Sequence, residues 1–326
     1  MIRDGKDAAA IAEAARLIRA GGLVGFATET VYGLGADASS DAAVAGIFAA
    51  KGRPSDHPLI VHVAEPAQVA DYAADIPLFA ERLMTALWPG PLTVILKRQP
   101  GVAAAAAGGQ DSIGLRCPAH PVAQALLKAC GTGVAAPSAN RFGRVSPTTA
   151  RHVADEFGDD LLVLDGGSCE VGIESSIVDC TRGRPVLLRP GVFTRAQLDA
   201  ACGEPVLSNE EFLGDAAPRA SGTLDSHYAP AARVRLMDAA AIQAALDLLG
   251  ADAAHIAVYA RSIMRIKSDK VIYRRMPDDA LAAAQQLFAV LRAFDAQGVK
   301  LIWIEHPPPG PAWDGVRDRL GRAAAD

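Results

Sequence analysis

Short apolar segments that carry or end in a polar residue recur through the N-terminal part of the chain. Residues 113–116 and 186–189 each contain an arginine, residues 134–136 run into a Ser-Ala-Asn turn, and residues 161–164 end at an Asp-Gly-Gly turn. Runs of this length between turn residues are typical of buried β-strands. A guanidinium in such a strand needs a bound anion or a carboxylate of the chain as its partner, and both interpretations stay open. The repetition predicts an α/β sheet with one shared anion-binding cleft.

Helical patterns separate these strands. Residues 23–27 predict a strand that ends in the polar, Gly-containing segment 28–35, and residues 42–50 form an apolar helix-like run. Residues 67–87 have a helical pattern, which Trp88-Pro-Gly-Pro91 interrupts. We therefore expect helices and strands to alternate along this part of the chain.

The composition changes after residue 202, which indicates a second domain. Residues 203–232 are rich in Gly, Pro, Ser and acidic residues without a sustained period, and are typical of a linker. Strand and helix patterns alternate again from 233 to 326, which predicts a small parallel α/β domain behind a larger domain of residues 1–202. Because a spacer needs no His-Tyr pair such as His227-Tyr228, we expect the linker to touch the cleft as a lid.

The composition excludes several classes of protein. A net charge of −5 argues against a wide nucleic-acid-binding face and leaves room for local basic pockets only. The five cysteines include no Cys-x-x-Cys pair, so neither a disulfide framework nor a zinc site is indicated. The N-terminus lacks a secretory pattern and no run is long and apolar enough to span a bilayer, so we expect a cytoplasmic protein without membrane contact.

The turn Lys51-Gly-Arg-Pro-Ser-Asp-His-Pro-Leu59 places two cations and two prolines between a helix-like and a strand-like run. Lys51 and Arg53 lie two apart on a non-helical backbone and can point at one anion, while the prolines reduce the entropy lost on binding. A solvated basic turn is the alternative. The loop from Ser138 to Thr148 offers small hydroxyls, an amide and arginines, which suit phosphate and ribose groups but are also common in turns.

Other chemistries do not match the sequence. The segment from Gly33 resembles a dinucleotide fingerprint only loosely, since the strand–turn–helix context is missing. We find no Walker Gly-x-x-x-x-Gly-Lys-Ser/Thr motif, no Gly-x-Ser-x-Gly elbow, no metal-ligand spacing around His57 and His62, and no carboxylate pair of the glycosidase type. What remains is phosphate chemistry that works by positioning and charge.

Five ordered motifs resemble those of the YrdC/Sua5 family of threonylcarbamoyl-AMP synthases. They are Thr28-Glu-Thr-Val-Tyr-Gly-Leu-Gly35, Lys51-Gly-Arg-Pro54, Trp88-Pro-Gly-Pro-Leu-Thr93, Ser138-Ala-Asn140 and Glu174-Ser-Ser-Ile-Val-Asp179. His227-Tyr-Ala-Pro230 and the C-terminal α/β pattern resemble the longer, two-domain Sua5 branch.

The resemblance implies a twisted mixed α/β sheet with a concave basic face, followed by a smaller Rossmann-like domain. The implied enzyme joins L-threonine, bicarbonate or CO2, and ATP into L-threonylcarbamoyladenylate and pyrophosphate, with Mg2+ accompanying ATP and no tightly bound cofactor or protein-held metal. The intermediate would pass to transfer proteins that modify adenosine 37 of tRNA, so direct RNA binding by this chain is expected to be weak or absent.

The resemblance also implies roles for individual residues. Lys51 and Arg53 would be the catalytic cations, and the Ser138-x-Asn140 motif would line the nucleotide. The residues that would bind L-threonine are Thr30, His62, Arg116, Ser138 and Ser176, with Ser175 as the alternative to Ser176. The residues that would bind ATP are Arg53, His57, Ser112, Asn140, Thr148, Arg189, His227 and Tyr228.

Two positions depart from the family pattern, and two other functions remain open. Ala27 stands where the family usually has proline, and His57 stands where it usually has asparagine, so the ATP contact there is the least secure. A nucleic-acid-binding module is the alternative outside enzymes, since such a basic face would suit double-stranded RNA. A carbamoyltransferase acting on carbamoyl phosphate is the alternative among enzymes, although those relatives carry additional domains that have no counterpart here.

Overall fold

The computed structural model describes residues 1–325 and divides them into two compact units. The first unit comprises residues 1–142 and 146–223, and the second comprises residues 143–145 and the chain from Leu224 onward. Most of the segment 203–232, which has the composition of a linker, therefore belongs to the first unit.

One mixed sheet forms the frame of the first unit. Its strands are β1 (Ile2–Asp4), β2 (Val24–Phe26), β3 (Gly33–Asp37), β4 (Ile60–His62), β5 (Leu92–Lys97), β6 (Ser112–Arg116), β7 (Val134–Ala135), β8 (Leu162–Asp165), β9 (Ser176–Asp179), β10 (Val186–Arg189) and β11 (Leu207–Ser208). The strand order is β1-β8-β2-β3-β7-β4-β6-β5-β9-β10-β11, with parallel and antiparallel pairs. The helices are α1 (Ala8–Arg19), α2 (Asp41–Lys51), α3 (Leu78–Leu87), α4 (Pro121–Cys130), α5 (Ala150–Phe157) and α6 (Arg195–Cys202). The predicted mixed α/β sheet is confirmed.

Local sequence signals fix the ends of α2, the helix that delivers the basic turn. The Ser40 side chain accepts a hydrogen bond from the Ala43 backbone N–H and caps the first turn. At the other end Gly52 has φ 64°, a left-handed conformation that glycine adopts without steric cost. Lys51 therefore lies in the last helical turn, and Arg53 lies just beyond it on a different backbone path.

Two local predictions were wrong. The predicted helix over residues 67–87 is a short 3-10 helix, Pro66–Asp71, followed by a separate α3. Pro77 precedes α3, and proline both lacks an N–H and disfavours helical backbone at the residue before it. Lys51, predicted on non-helical backbone, is instead the last residue of α2. The end of segment 28–35 forms the start of β3, where a Cβ on Gly35 would come within 2.8 Å of the Phe26 ring.

Side chains alternate between the two faces of the sheet, and this alternation places the candidate site. Val61 of β4 and Leu115 of β6 are in register and belong to the main apolar core. His62 and Arg116 are the next pair in register, so their side chains point to the other face. The face away from that core therefore carries a histidine beside an arginine.

The second unit contains a four-stranded, entirely parallel sheet. Its strands are β12 (Arg233–Met237), β13 (Ile256–Ala260), β14 (Ile272–Arg275) and β15 (Leu301–Glu305), in the order β12-β15-β13-β14. The helices are α7 (Ala239–Leu249), α8 (Ala280–Ala296) and α9 (Asp314–Ala324). The predicted small Rossmann-like domain is confirmed. Within residues 1–325 no helix combines the length and the hydropathy needed to cross a bilayer.

Candidate active site

The loop after β2 brings a carboxylate and a hydroxyl to Arg116 at the end of β6. The Arg116 Nη2 donates to Glu29 Oε1 at 2.7 Å, and its Nη1 donates to Thr30 Oγ1 at 2.9 Å. The loop is held by Val171 and Gly172, whose backbone N–H groups donate to the carbonyls of Glu29 and Thr30 at 2.8 and 3.1 Å. The side chains of Glu29, Thr30 and Arg116 are all buried. A carboxylate of the chain therefore already neutralises this strand arginine.

Buried polar atoms without a hydrogen-bond partner occur in this ion pair and on nearby strands of the same sheet. Within residues 1–325 they include Glu29 Oε2, Arg116 Nε, His62 Nδ1 and Ser176 Oγ. Most buried polar atoms in folded proteins are paired, and leaving one unpaired costs about 1 to 3 kcal/mol. A ligand that offers donors and acceptors to these atoms would remove this cost.

Two adjacent serines at the start of β9 have different surroundings. Ser175 Oγ lies 2.8 Å from Thr93 Oγ1 and accepts from Arg189 Nη2 at 3.2 Å. The Ser176 hydroxyl has no partner in the part of the chain that the structure describes. This difference favours Ser176 as the serine that faces a substrate.

His62 is held in its neutral form. Burial, and next the positive charge of Arg116, lower the pKa of His62 from 6.5 to about 3. Its ring meets Phe26 edge to face, with 6.2 Å between the ring centroids. At neutral pH the imidazole therefore serves as a hydrogen-bonding group rather than as a cation.

The low pKa of His62 predicts that acid destabilises the first unit. The unfolded chain binds a proton at this residue below about pH 6.5, whereas the folded chain does so only near pH 3, so stability is lost as the pH falls between these values. One such group contributes up to about 1.4 kcal/mol per pH unit. Urea unfolding from pH 7 to pH 4.5 should show a shallower loss for His62→Gln than for the unsubstituted protein; equal slopes would contradict the assignment.

Lys51 braces the loop that contains Ser138 and Asn140. Its Nζ donates to the carbonyl of Ser138 at 2.5 Å and also to the carbonyl of Asn140. Burial, and next the charge of Arg53, hold the pKa of Lys51 well below its usual range. We predicted that Lys51 acts directly on the transferring phosphate. In this structure its ammonium group donates two hydrogen bonds to backbone carbonyls, and these bonds fix the loop.

Arg53, one of the residues predicted to bind the nucleotide, lies beside an aromatic ring. Its Nη2 donates to the Pro58 carbonyl at 3.0 Å and to Ser221 Oγ at 3.4 Å, and its guanidinium lies 5.6 Å from the centre of the Phe142 ring. The His57 ring contacts the same phenyl ring edge to face at 5.4 Å. Burial, and next the charge of Arg53, lower the pKa of His57.

Arg189, at the end of β10, points to the same linker residue as Arg53. Its Nε and Nη2 donate to the Ser175 carbonyl at 3.1 and 2.9 Å, while Nη1 donates to the Ser221 carbonyl at 2.7 Å. The two arginines come from distant parts of the chain and converge on Ser221, through its hydroxyl and its carbonyl. Donors of both arginines are therefore bonded to oxygen atoms of Ser221 in this structure.

An ion pair and a hydrogen bond hold the segment around Ser221 in place. Arg219 pairs with Asp56 at 2.8 Å, and its backbone N–H donates to Gln110 Oε1 at 2.7 Å. A small cavity of about 10 Å3 lies beneath this segment, and its lining includes Ile60, Thr93, Ser112, Gly114 and Ser221. The predicted nucleotide residue Ser112 thus lies under the covering segment.

The remaining predicted residues lie in two places. The backbone N–H of Thr148, a buried residue of the first unit, donates to His152 Nδ1 at 3.3 Å. His227 and Tyr228 belong to the second unit, where Tyr228 stacks on Phe288 at 5.5 Å and lies under the Arg319 guanidinium at 5.3 Å. Contact between this pair and a nucleotide stays a prediction.

Several residues of the site were missed in the sequence. Glu29 lies inside a recognised motif but was given no role, and its only signal was a carboxylate beside two threonines. Arg219 and Ser221 lie in the linker that was expected to touch the cleft, but that contact was assigned to His227 and Tyr228. Thr93 lies inside a recognised motif but was given no role. Phe142 gave no signal, since single aromatic residues near turns are common.

The candidate site contains two groups of side chains with different binding properties. One region offers a buried arginine–carboxylate pair with a neutral histidine and hydroxyls, which suits a small zwitterion with a polar side chain. The other offers Arg53 and Arg189 beside a phenyl ring, which suits a polyphosphate attached to an aromatic base. Such a site can hold two substrates and join them.

Comparisons with known proteins agree with this geometry. Residues 16–191 match the Sua5/YciO/YrdC family profile, described as telomere recombination, and residues 193–325 match the profile of the threonylcarbamoyl-AMP synthase C-terminal domain. The chain is 37% identical to a threonylcarbamoyl-AMP synthase of Pyrococcus abyssi, covering 95% of this chain and 93% of the relative. It is 36% identical to one of Bacillus subtilis, covering 96% and 92%.

A solved structure shows the same fold over both units. The crystal structure of Pyrococcus abyssi Sua5 complexed with L-threonine has a TM-score of 0.89 and 36% sequence identity, covering 98% of this chain and 95% of that chain. The profiles, the identities and the fold all cover nearly the full length. The chain therefore belongs to the Sua5/YciO/YrdC family, in its two-domain form with a Sua5 C-terminal domain.

Proposed function

We propose that this protein is an L-threonylcarbamoyladenylate synthase. It joins L-threonine, bicarbonate and ATP into L-threonylcarbamoyladenylate, with release of pyrophosphate and water. The observation that carries the proposal is the cluster of buried atoms without partners around Arg116, which is complementary to a zwitterionic hydroxy amino acid. The relative with the same fold has L-threonine bound, and the relatives by sequence are named threonylcarbamoyl-AMP synthases.

The threonine half of the site lies between the 28–32 loop and strands β4, β6 and β9. Arg116 would bind the substrate carboxylate, and Thr30, neutral His62 and Ser176 would bind its polar groups. Ser138 closes this region from the loop that Lys51 holds. Because these groups are buried and preorganised, little entropy is lost when threonine binds.

The nucleotide half lies where Arg53 and Arg189 meet at Ser221. ATP would displace the 219–221 segment, so that its phosphate oxygens replace the oxygens of Ser221 as acceptors for both arginines. His57, Ser112, Asn140 and Thr148 would line the nucleotide around them. Mg2+ would enter with the phosphates, whose oxygens are ligands of the kind this ion takes.

The chemistry requires two bonds to form. The threonine nitrogen bonds to the bicarbonate carbon with loss of water, and an oxygen of the resulting carbamate then bonds to the α-phosphorus as the bond to pyrophosphate breaks. Negative charge increases on the phosphate oxygens in the second step, and fixed cations stabilise that charge without reorganisation. We assign this role to Arg53, while Lys51 holds the loop that contains Ser138 and Asn140.

The reactivity of the product indicates which partner proteins this enzyme needs. An acyl adenylate hydrolyses readily, so we propose that transfer proteins accept it and modify tRNA, while this chain with its net charge of −5 makes weak RNA contact or none. The His227-Tyr228 pair of the linker would then close the site over the nucleotide as a lid, which stays a prediction.

Pyrophosphate release tests the proposed function. Purified protein supplied with ATP, Mg2+, L-threonine and bicarbonate should release pyrophosphate, and omission of any one of them should reduce release to background. Release that does not depend on threonine would contradict the proposal and favour an ATP hydrolase. Release that requires carbamoyl phosphate in place of bicarbonate and threonine would favour the carbamoyltransferase alternative.

A further inference from the structure

Glu29 has one oxygen that is used and one that is free. Its Oε1 accepts from Arg116 Nη2 at 2.7 Å, whereas its Oε2 is buried and has no partner within residues 1–325. The residue is 5% exposed, and its backbone is fixed by the hydrogen bond from Val171 N–H. The free oxygen is therefore held in place in a region that excludes bulk water.

The charge on this oxygen is retained. Burial raises the pKa of Glu29, but the charge of Arg116 together with hydrogen bonds from Arg116 and from the backbone N–H groups of Glu29 and Ala119 outweighs burial and lowers the pKa from its usual value. The carboxylate is thus ionised at neutral pH and accepts hydrogen bonds only. Its unpaired oxygen requires a donor, and a charged donor satisfies it best.

The other unpaired atoms leave this requirement unmet. Arg116 Nε donates and would bind a carboxylate, while Ser176 Oγ and His62 Nδ1 can pair with a hydroxyl. None of these groups offers a negative charge to the ammonium of an amino acid. Glu29 Oε2 is the complementary acceptor within this cluster.

We propose that Glu29 is a specificity-determining residue whose free oxygen binds the α-amino group of the substrate. The inference rests on the proposed function and adds to it that the site selects α-amino acids over hydroxy acids of the same shape. Glu29 and Arg116 then act as a pair, in which each charge of the protein meets the opposite charge of the zwitterion.

Two ligands that differ by the amino group separate recognition from folding. L-Threonine and (3R)-3-hydroxybutanoate share the carboxylate and the hydroxyl, and only the first has the amine. We expect Glu29→Gln to weaken L-threonine binding about tenfold to a hundredfold, the effect of losing a hydrogen bond to a charged group, and to leave hydroxybutanoate binding unchanged. Isothermal titration of both ligands into both proteins measures this difference.

Matched controls keep the result interpretable. Glu305, in the second unit, is also a buried carboxylate paired with an arginine, so Glu305→Gln should bind both ligands as the unsubstituted protein does. If Glu29→Gln does not fold by circular dichroism, Glu29→Asp, which keeps the charge on a shorter side chain, should still show a loss confined to L-threonine.

The outcomes separate this inference from the proposed function. Equal weakening of both ligands would overturn the inference, because Glu29 would then act only by holding Arg116. Unchanged threonine binding in Glu29→Gln would also overturn it. Failure of the unsubstituted protein to bind L-threonine at all would instead count against the proposed function.

Discussion

Replacing Arg53 by alanine is expected to lower the rate of adenylate formation about a hundredfold to a thousandfold, the usual effect of removing one fixed group that stabilises transition-state charge. Arg53 converges with Arg189 on the oxygens of Ser221 and is only 7% exposed. Its charge therefore acts in a region of low dielectric constant, where it has a larger effect than in water. The measurement is the initial rate of pyrophosphate release at saturating threonine.

Two further variants define what Arg53 contributes. Arg53→Lys keeps the charge but loses the planar donor fork, so it should recover only part of the rate. Arg82, an exposed arginine on α3 that donates to the Cys202 carbonyl at 3.5 Å, lies outside the site, and Arg82→Ala should leave the rate unchanged. A near-normal rate in Arg53→Ala would reject the catalytic role.

Replacing Arg116 by methionine should have the largest effect on stability as well as on threonine binding. The substitution leaves the Glu29 carboxylate buried without its cation, and breaking a buried ion pair in this way costs about 3 to 5 kcal/mol. The substrate carboxylate would lose its partner at the same time. Urea unfolding and threonine titration measure the two effects separately.

A double variant distinguishes the two roles of Arg116. Adding Glu29→Gln to Arg116→Met removes the uncompensated charge, so the double variant should be more stable than the single Arg116 variant. Threonine binding should stay lost, because neither charge that meets the zwitterion is present. A single Arg116→Met variant as stable as the unsubstituted protein would show that the pair does not hold the 28–32 loop.

Arg116 shows how far a sequence can be interpreted. An arginine within an apolar strand indicates a partner with negative charge, and that prediction is confirmed. The sequence alone does not decide whether this partner is a ligand or a carboxylate of the chain. The carboxylate belongs to a residue 87 positions away in another of the five motifs, and no fixed spacing connects the two positions. The structure shows Glu29 as the partner, and with it the free oxygen that no pattern indicates.

Lys51 illustrates a second limit. The apolar run over residues 42–50 predicted a helix, but Lys51 was expected on non-helical backbone and is instead the last residue of α2. The direction of its ammonium group depends on the carbonyls of Ser138 and Asn140, which reach it only through the pairing of β3 with β7 and the loop beyond. Long-range backbone positions of this kind leave no local signal, and neither does the contact of Arg189 with the linker.

Label from carbon-14 bicarbonate tests the central claim most directly. We predict that incubation with ATP, Mg2+ and L-threonine transfers the label into a compound that contains threonine and AMP in equal amounts, and that this compound disappears when threonine is omitted. Pyrophosphate release without labelled adenylate, or labelled adenylate that forms without threonine, would contradict the account.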